Sequence, residues 1–343
     1  MGNGNDNNLL VPEIVLTDVK KVVSCGYTTM VIKKDGSLWV SGENNGKFGN
    51  GQTESTNIFI KVHNDISDIA LGEKTALILR KNGDLFITGL ILTTSKNGLI
   101  SYECTYENIL TPEKIDSEVS KIFSFPDHST YFGNYFYIKQ DSSLFGLGMN
   151  SFGELGDFEK KPHPTPIKID SDVTDILSTT HLFYRKTNGL IMFVDLSIGK
   201  IQMCSLPLKK TCNSFKILDD GTLVTDNSGF FGEYGLNPSI STSVPNIIMR
   251  NVNDVDMSVY HSLILSNDGK LYSCGGNCKI LDTYLSTFGF IGDGTGEPSL
   301  EPKYIMDNID FITTSDYSSF AIDNNGNLWA WGLNNNTSDL LFY

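Results

Sequence analysis

The sequence predicts an all-β fold, a seven-bladed β-propeller of four-stranded blades, closed by the N-terminal strand joining the C-terminal blade. Three observations predict it. One hairpin pattern occurs seven times, a Pro-marked extended segment follows most copies, and the last copy lacks that segment while the N-terminus supplies it. Self-similarity at a period of tens of residues outweighs any single-residue signal.

The hairpin is clearest at Val31-Ile32-Lys33-Lys34-Asp35-Gly36-Ser37-Leu38-Trp39-Val40. Two short apolar runs flank Asp35-Gly36, a turn that needs φ > 0, which Gly reaches without steric cost. The same turn recurs at Asn82-Gly83, Asp141-Ser142, Asn188-Gly189, Asp220-Gly221, Asp268-Gly269 and Asn325-Gly326, each between apolar runs. A short strand precedes each hairpin, as in Lys20 to Cys25 or Ile309 to Thr313, and a Gly such as Gly42, Gly89, Gly148, Gly275 or Gly332 closes it. A variable loop then leads to Thr111-Pro112, Thr165-Pro166, Val244-Pro245 or Glu301-Pro302. Proline is tolerated there if this is the outer, edge strand of its unit. Four strands per unit is the size of a propeller blade.

The turn spacings set the blade boundaries. Gly36 to Gly83 is 47 residues and Gly221 to Gly269 is 48, whereas Gly189 to Gly221 is 32. The fourth unit therefore reads as degenerate. The expected blades are 19–65, 66–118, 119–172, 173–199, 200–251, 252–308, and 309–343 closed by 9–18, in one propeller over 1–343. The closing segment is Leu9-Leu10-Val11-Pro12-Glu13-Ile14-Val15. Pairing it with the last hairpin removes an exposed sheet edge and argues for a ring over an open array.

The bulk properties narrow the partners. Of 343 residues, 40% are apolar, and the formal net charge is −14. An acidic surface repels phosphate backbones and anionic lipid, so direct nucleic-acid or membrane binding is not expected. No run is long enough to span a bilayer. The start, Met1-Gly2-Asn3-Gly4-Asn5-Asp6, carries no signal-peptide pattern. The six Cys are scattered, and Cys274 and Cys278 have no second pair or paired His beside them, which disfavours zinc. Cys25 and Cys274 read as buried thiols. An intracellular monomer without cofactor or metal is the expectation.

The full frame is an apolar strand, Gly-x-x-His/Thr-Ser/Thr, an apolar strand, Asp-Gly, Leu-aromatic-x-x-Gly, a Gly-bearing loop, then Pro-x-x-Val/Ile. It resembles the repeat of the regulator of chromosome condensation family, a seven-bladed β-propeller family. Gly42-Glu43-Asn44-Asn45-Gly46-Lys47-Phe48-Gly49 and Gly148-Met149-Asn150-Ser151-Phe152-Gly153 are similar to the family's loop, and Tyr260-His261-Ser262 keeps its His-Ser step.

No nucleophile–base pair or other catalytic constellation emerges, so a hydrolase with a channel site is the weakest reading. His128 and His261 read as occupants of one repeat slot, filled elsewhere by Thr29 and Ser318, bonding to backbone near the central channel. Trp39, Trp329 and Trp331 read as core between blades.

The resemblance implies that function lies in loops on one face. In Ran-type nucleotide exchange factors of the family, that face binds the GTPase. The matching residues here are Tyr27, Glu73, Lys74, Asp127, His128, Tyr260, His261, Asp316 and Tyr317. An insertion near Ile91 to Asn108, carrying Tyr102 and Tyr106, is the candidate wedge. Tyr-rich loops on a rigid scaffold suit a protein interface. The expected partner is another protein, with a Ran-type small GTPase as the sharper reading. A non-exchanging interaction module, of ubiquitin-ligase recognition type or an inhibitor capping another protein, is the alternative.

Overall fold

The computed structural model describes residues 1–97, 102–125, 133–157, 160–178, 181–227, 233–236, 245–276 and 289–334, the side chains of 94–97 and 102–103 excepted. Among them, 28 strands form seven four-stranded antiparallel sheets, the blades of a propeller. Blade 1 runs Val19–Cys25, Thr28–Lys33, Leu38–Gly42, Thr56–His63, from innermost to outermost. Blade 2 is Ile66–Leu71, Thr75–Arg80, Leu85–Asn97, Tyr102–Asp116, and blade 3 is Val119–Phe125, Asn134–Lys139, Leu144–Gly148, His163–Asp170. Blade 5 is Leu208–Cys212, Phe215–Leu218, Leu223–Thr225, Asn246–Met249, and blade 6 is Val252–Met257, His261–Ser266, Leu271–Gly275, Ser299–Met306. Blade 7 has three consecutive strands, Ile309–Thr314, Ser318–Asp323 and Leu328–Gly332; its fourth is Leu9–Leu16, antiparallel to Leu328–Gly332 with Leu9 opposite Gly332 and Ile14 opposite Trp329.

The fourth blade corrects the expected boundaries. It has all four strands: Val173–Ile176, Phe183–Lys186, Ile191–Asp195 and Lys200–Cys204. Residues 200–204, assigned from the sequence to the fifth blade, are its outer strand. The unit is short because a tight turn replaces the long loop. Gly199 N–H donates to the Asp195 carbonyl at 2.7 Å, and the Asp195 carboxylate accepts from Ser197 N–H.

The repeated turn performs two tasks. Lys33 N–H bonds to the Ser37 carbonyl and Gly36 N–H to the Lys33 carbonyl, and of the turn pair only Gly36 has positive φ, 87°. Asp35 instead caps the Ser37 N–H with its carboxylate at 2.7 Å. The Gly36 carbonyl then accepts from Ile66 N–H, the start of the next blade, at 2.9 Å. The same bond joins Gly83 to Val119, Ser142 to Val173, Gly221 to Val252, Gly269 to Ile309, and Gly326 to Val19. The last of these ties blade 7 to blade 1.

The core is distributed over the junctions. Each second strand lies between two neighbouring blades, so Met30-Val31-Ile32 is buried throughout and its sequence reads as an unbroken apolar run. Seven apolar clusters result among the described residues, one per junction. The smallest, Leu177, Ile191 and Leu208, joins blades 4 and 5.

Inner strands also pair by charge. Lys21 reaches Asp68 of the next blade, Lys121 reaches Asp175 at 3.0 Å, and Lys210 reaches Asp254. All six occupy the same position in their strands, just after the register shift that opposes Lys21 to Ile32. In blade 7 this position is Phe311.

Cys25 and Cys274 are buried, as expected. Trp331 is fully buried, but Trp39 and Trp329 are half-exposed, on the alternate side of their strands. Their indole N–H groups donate to Ser37 Oγ and Asp323 Oδ2. No helix among the described residues is long and apolar enough to cross a membrane.

Candidate protein-binding face

In an up-and-down blade, the first and third connections lie on one side. Backbone bonds hold them together here: Glu43 N–H donates to the Tyr27 carbonyl, Leu90 N–H to Lys74, Gly276 N–H to Tyr260, and Leu333 N–H to Tyr317. These four acceptors are equivalent residues, the last before each second strand. Tyr27, Lys74, Tyr260 and Tyr317 therefore stand at one level around the ring.

The residue that follows is structural. Thr28 Oγ1 donates to the Glu43 carbonyl at 2.6 Å and Ser318 Oγ to the Leu333 carbonyl at 2.8 Å; Thr75 bonds likewise to Leu90. Strand pairing assigns this slot to Thr28, not Thr29, because Thr28 opposes Gly42 as His261 opposes Gly275. In blade 3 Asn134 fills it, opposite Gly148, and its side chain accepts from Asn150 N–H at 2.9 Å. The first connection of blade 3 is therefore longer than the repeat suggests, and His128 does not share the His261 slot. Asp127 and His128 lie outside the described residues.

His261 is on the face by position but not by exposure. It is fully buried, and its bonds run to hydroxyls, not to backbone. Nδ1 lies 2.8 Å from Ser258 Oγ and Nε2 lies 2.7 Å from Ser319 Oγ of the next blade. Burial pushes its pKa down to about 3, so the imidazole is neutral and joins blades 6 and 7. It cannot touch a partner. The Ser/Thr after the slot has its own task, since Ser262 Oγ and Ser319 Oγ donate to the loop carbonyls of Glu233 and Phe290.

Three predicted residues do converge. The Tyr27 and Tyr317 rings lie 5.9 Å apart at 18°, and Tyr317 and Tyr260 lie 5.7 Å apart at 29°. Phe290 continues the row, 6.1 Å from Tyr260. Blades 7 and 1 are neighbours only because the ring closes, so sequence spacing gave no sign of the contact between Tyr317 and Tyr27. Tyr27 is 37% exposed; Tyr260 and Tyr317 are half-buried. The phenol of Tyr27 is pushed up by burial and then by Asp316, Glu73 and Glu43. That of Tyr317 is raised by burial and then by its two tyrosine neighbours and Asp316. Beside the row, Glu43 faces Lys47 at 3.7 Å and Lys74 at 3.9 Å. Lys47 is buried, donates to the Glu73 carbonyl at 2.6 Å, and has its pKa lowered by that burial. Glu43 was not singled out from the sequence, although it directly follows the repeat Gly42.

The insertion in blade 2 is not a loop. Past Gly89 and Ile109 the two outer strands continue as one ladder, through Leu92 opposite Tyr106 to Asn97 opposite Tyr102. At about 3.4 Å per residue, the hairpin rises roughly 27 Å above Gly89 on the face that bears the tyrosine row. Tyr106 is 38% exposed, and its hydroxyl lies 4.0 Å from Met149 Sδ of blade 3. Under the hairpin's base is an apolar cavity of about 200 Å³ lined by Ile91, Leu92, Ile115, Leu147, Met149 and Pro166. Among the described residues, no three His, Cys, Asp or Glu side chains cluster as metal ligands would.

The model of the regulator of chromosome condensation (RCC1) repeat matches residues 252–279, which begin with the first strand of blade 6 and contain the Tyr260-His261-Ser262 step. Among solved structures, human WBSCR16 is similar at 14% identity, over 95% of this chain and 89% of that one, with a TM-score of 0.66. Prp20p from Saccharomyces cerevisiae, reported with its binding properties to Gsp1p and histones, aligns at 16% identity over 92% of this chain and 72% of that one, with a TM-score of 0.47.

Proposed function

We propose that this chain, a seven-bladed propeller carrying a regulator of chromosome condensation repeat, is a protein-binding platform that acts on a Ran-type small GTPase. One observation carries the reading: a two-stranded ladder, Leu85–Asn97 with Tyr102–Asp116, rises from the face that presents Tyr27, Tyr260 and Tyr317. A broad surface beside a projecting element can hold a partner and press on one of its loops at the same time. Binding the nucleotide-free form of a GTPase more tightly than the loaded form would speed nucleotide loss with no covalent step. Such a mechanism uses docking and positioning alone and needs no group on the face to transfer a proton or form a bond.

The test is release of a fluorescent guanine nucleotide from a purified Ran-type GTPase. The expected result is acceleration of at least about tenfold, abolished when residues 95–104 are replaced by a tight Asn-Gly turn. No acceleration by the intact chain ends the exchange reading. The second reading, a non-exchanging interaction module, is favoured by one observation: in blades 1, 2, 3 and 7 the slot equivalent to His261 holds Thr28, Thr75, Asn134 and Ser318, whose side chains bond to the loop beside them. Stable capture of a GTPase or another protein without nucleotide release would select it.

A further inference from the structure

The geometry points to a recognition site for an arginine side chain at the row formed by Tyr27, Tyr317 and Tyr260, and we infer that a basic loop of the protein partner docks there through its guanidinium. This deepens the platform reading and rests on it. The three tyrosine rings stack in a row, 5.7–5.9 Å apart between centroids and 18–29° between planes, backed beyond Tyr260 by the buried Phe290, which leaves the Tyr27 end of the row open to a partner. Aromatic faces carry negative potential and attract cations. The end tyrosine Tyr27 and the central Tyr317 feel carboxylates: Asp316, Glu73 and Glu43 act on Tyr27, and Asp316 acts on Tyr317. The Glu73 carboxylate lies close to Gly26, next to Tyr27, so that a Cβ placed on Gly26 would meet both of its oxygens at 3.1 Å. Two cations oppose these three acids, Lys47 and Lys74; Lys47 is buried and already donates to the Glu73 carbonyl.

Those features select a planar cation over other ligands. A phosphate or carboxylate would meet acids and electron-rich rings. An apolar side chain would gain nothing from the excess of acids beside the rings. An ammonium would satisfy the charge but has no plane to lay on the rings, whereas a guanidinium can stack and donate to a carboxylate in the same pose. The chain's net charge of −14 favours the approach of any basic segment, so the distinguishing property of this site is its preference among cations.

The experiment compares hexa-arginine, hexa-lysine and hexa-citrulline peptides by calorimetry on the full chain at physiological salt. The wild type is expected to bind hexa-arginine about tenfold more tightly than hexa-lysine, and hexa-citrulline not measurably. A Tyr27→Leu, Tyr260→Leu, Tyr317→Leu variant keeps the charge and the apolar bulk; it should lose the tenfold preference while keeping the common, salt-sensitive binding. Equal affinities for the arginine and lysine peptides on the wild type, or an undiminished preference on the leucine variant, would overturn the inference. Should that variant fail to fold, tyrosine ring resonances of the wild type, assigned by single Tyr→Phe changes, replace it. Hexa-arginine must then shift those of Tyr27, Tyr260 and Tyr317, and shifts confined to other tyrosines reject the site. Failure of the GTPase assay with arginine preference intact would remove the GTPase reading alone; nucleotide release that survives the leucine variant undiminished would remove this inference alone.

Discussion

His261 makes stability depend on acid in a way that one substitution should remove. Its imidazole is fully buried between Ser258 and Ser319, and burial holds its pKa near 3 instead of the ordinary 6.5. In the unfolded chain the same side chain takes a proton below about pH 6.5. Protons therefore favour the unfolded state between those two values. Above pH 6.5 this group leaves stability unchanged; stability falls as pH drops from 6.5 toward 3, and the loss is complete below 3. The gap of roughly 3.5 pH units corresponds to about 5 kcal/mol in full, and at pH 4.5 to about 2.7 kcal/mol. Glutamine at this position can still hydrogen-bond to both hydroxyls but does not titrate. Wild type and His261→Gln should be unfolded with denaturant at pH 7.5 and pH 4.5. The variant is expected to start lower but to lose about 2–3 kcal/mol less between the two conditions. His63 and His181, whose pKa values burial also lowers, are present in both proteins and cancel. Parallel losses would refute the reasoning, because they would mean that the ring is already protonated in the folded state or is reached by water.

Three further outcomes follow from packing and backbone geometry. Trp331→Ala should cost about 3–5 kcal/mol in a denaturant titration. Trp331→Phe, which mainly removes the indole N–H bonded at 2.9 Å to the Phe290 carbonyl, should cost about 1–2 kcal/mol, and equal costs for the two would contradict the close fit. Ser142 holds φ = 66° where six other turns have Gly, so Ser142→Gly should raise the thermal midpoint by an amount equivalent to about 0.5–1 kcal/mol; a lower midpoint would count against that reading. At Gly42, with φ = +100°, a Cβ would sit 1.9 Å from the Tyr27 carbonyl oxygen, so Gly42→Ala should cost at least roughly 1–3 kcal/mol and disturb the tyrosine row. Unaltered tyrosine spectra in that variant would show that the row does not depend on this contact.

The fold was legible because its signals are local and repeated. The turn at Asp35-Gly36 and the apolar run Met30-Val31-Ile32 fix their surroundings within a few residues, and Leu9–Leu16 was legible as the outer segment that the last copy of the repeat lacks. The fourth blade was misjudged because Asp195 to Gly199 turns more tightly than its counterparts, so length was a poor guide to completeness. A further signal went unused. Asp18, Asp65, Glu118, Asp172, Asn251 and Asn308 all adopt positive φ just before an inner strand, and Asp and Asn tolerate that region better than most residues. The site was only partly legible. His261 was read both as a structural residue bonding to backbone and, through the family's loop, as part of the partner face; its burial and its bonds to Ser258 and Ser319 leave it structural, with hydroxyls in place of backbone. Asn134 was hidden by extra residues ahead of it. The tyrosine row depends on closure between distant parts of the chain, which no local window contains.

The alternating charges on the inner strands have a consequence for how such a wheel can change size. Signs that alternate from one neighbour to the next return to their start only around an even-numbered ring, and seven is odd. The mismatch falls at Phe311, in the blade assembled from both ends of the chain. Excising blade 3 alone would bring Asp68 beside Asp175, two like charges on adjacent spokes, whereas excising blades 3 and 4 together would set Asp68 next to Lys210. Electrostatics therefore favours gain or loss in couples, with the seventh blade, uncharged at this one position, as the place where the count can be made up.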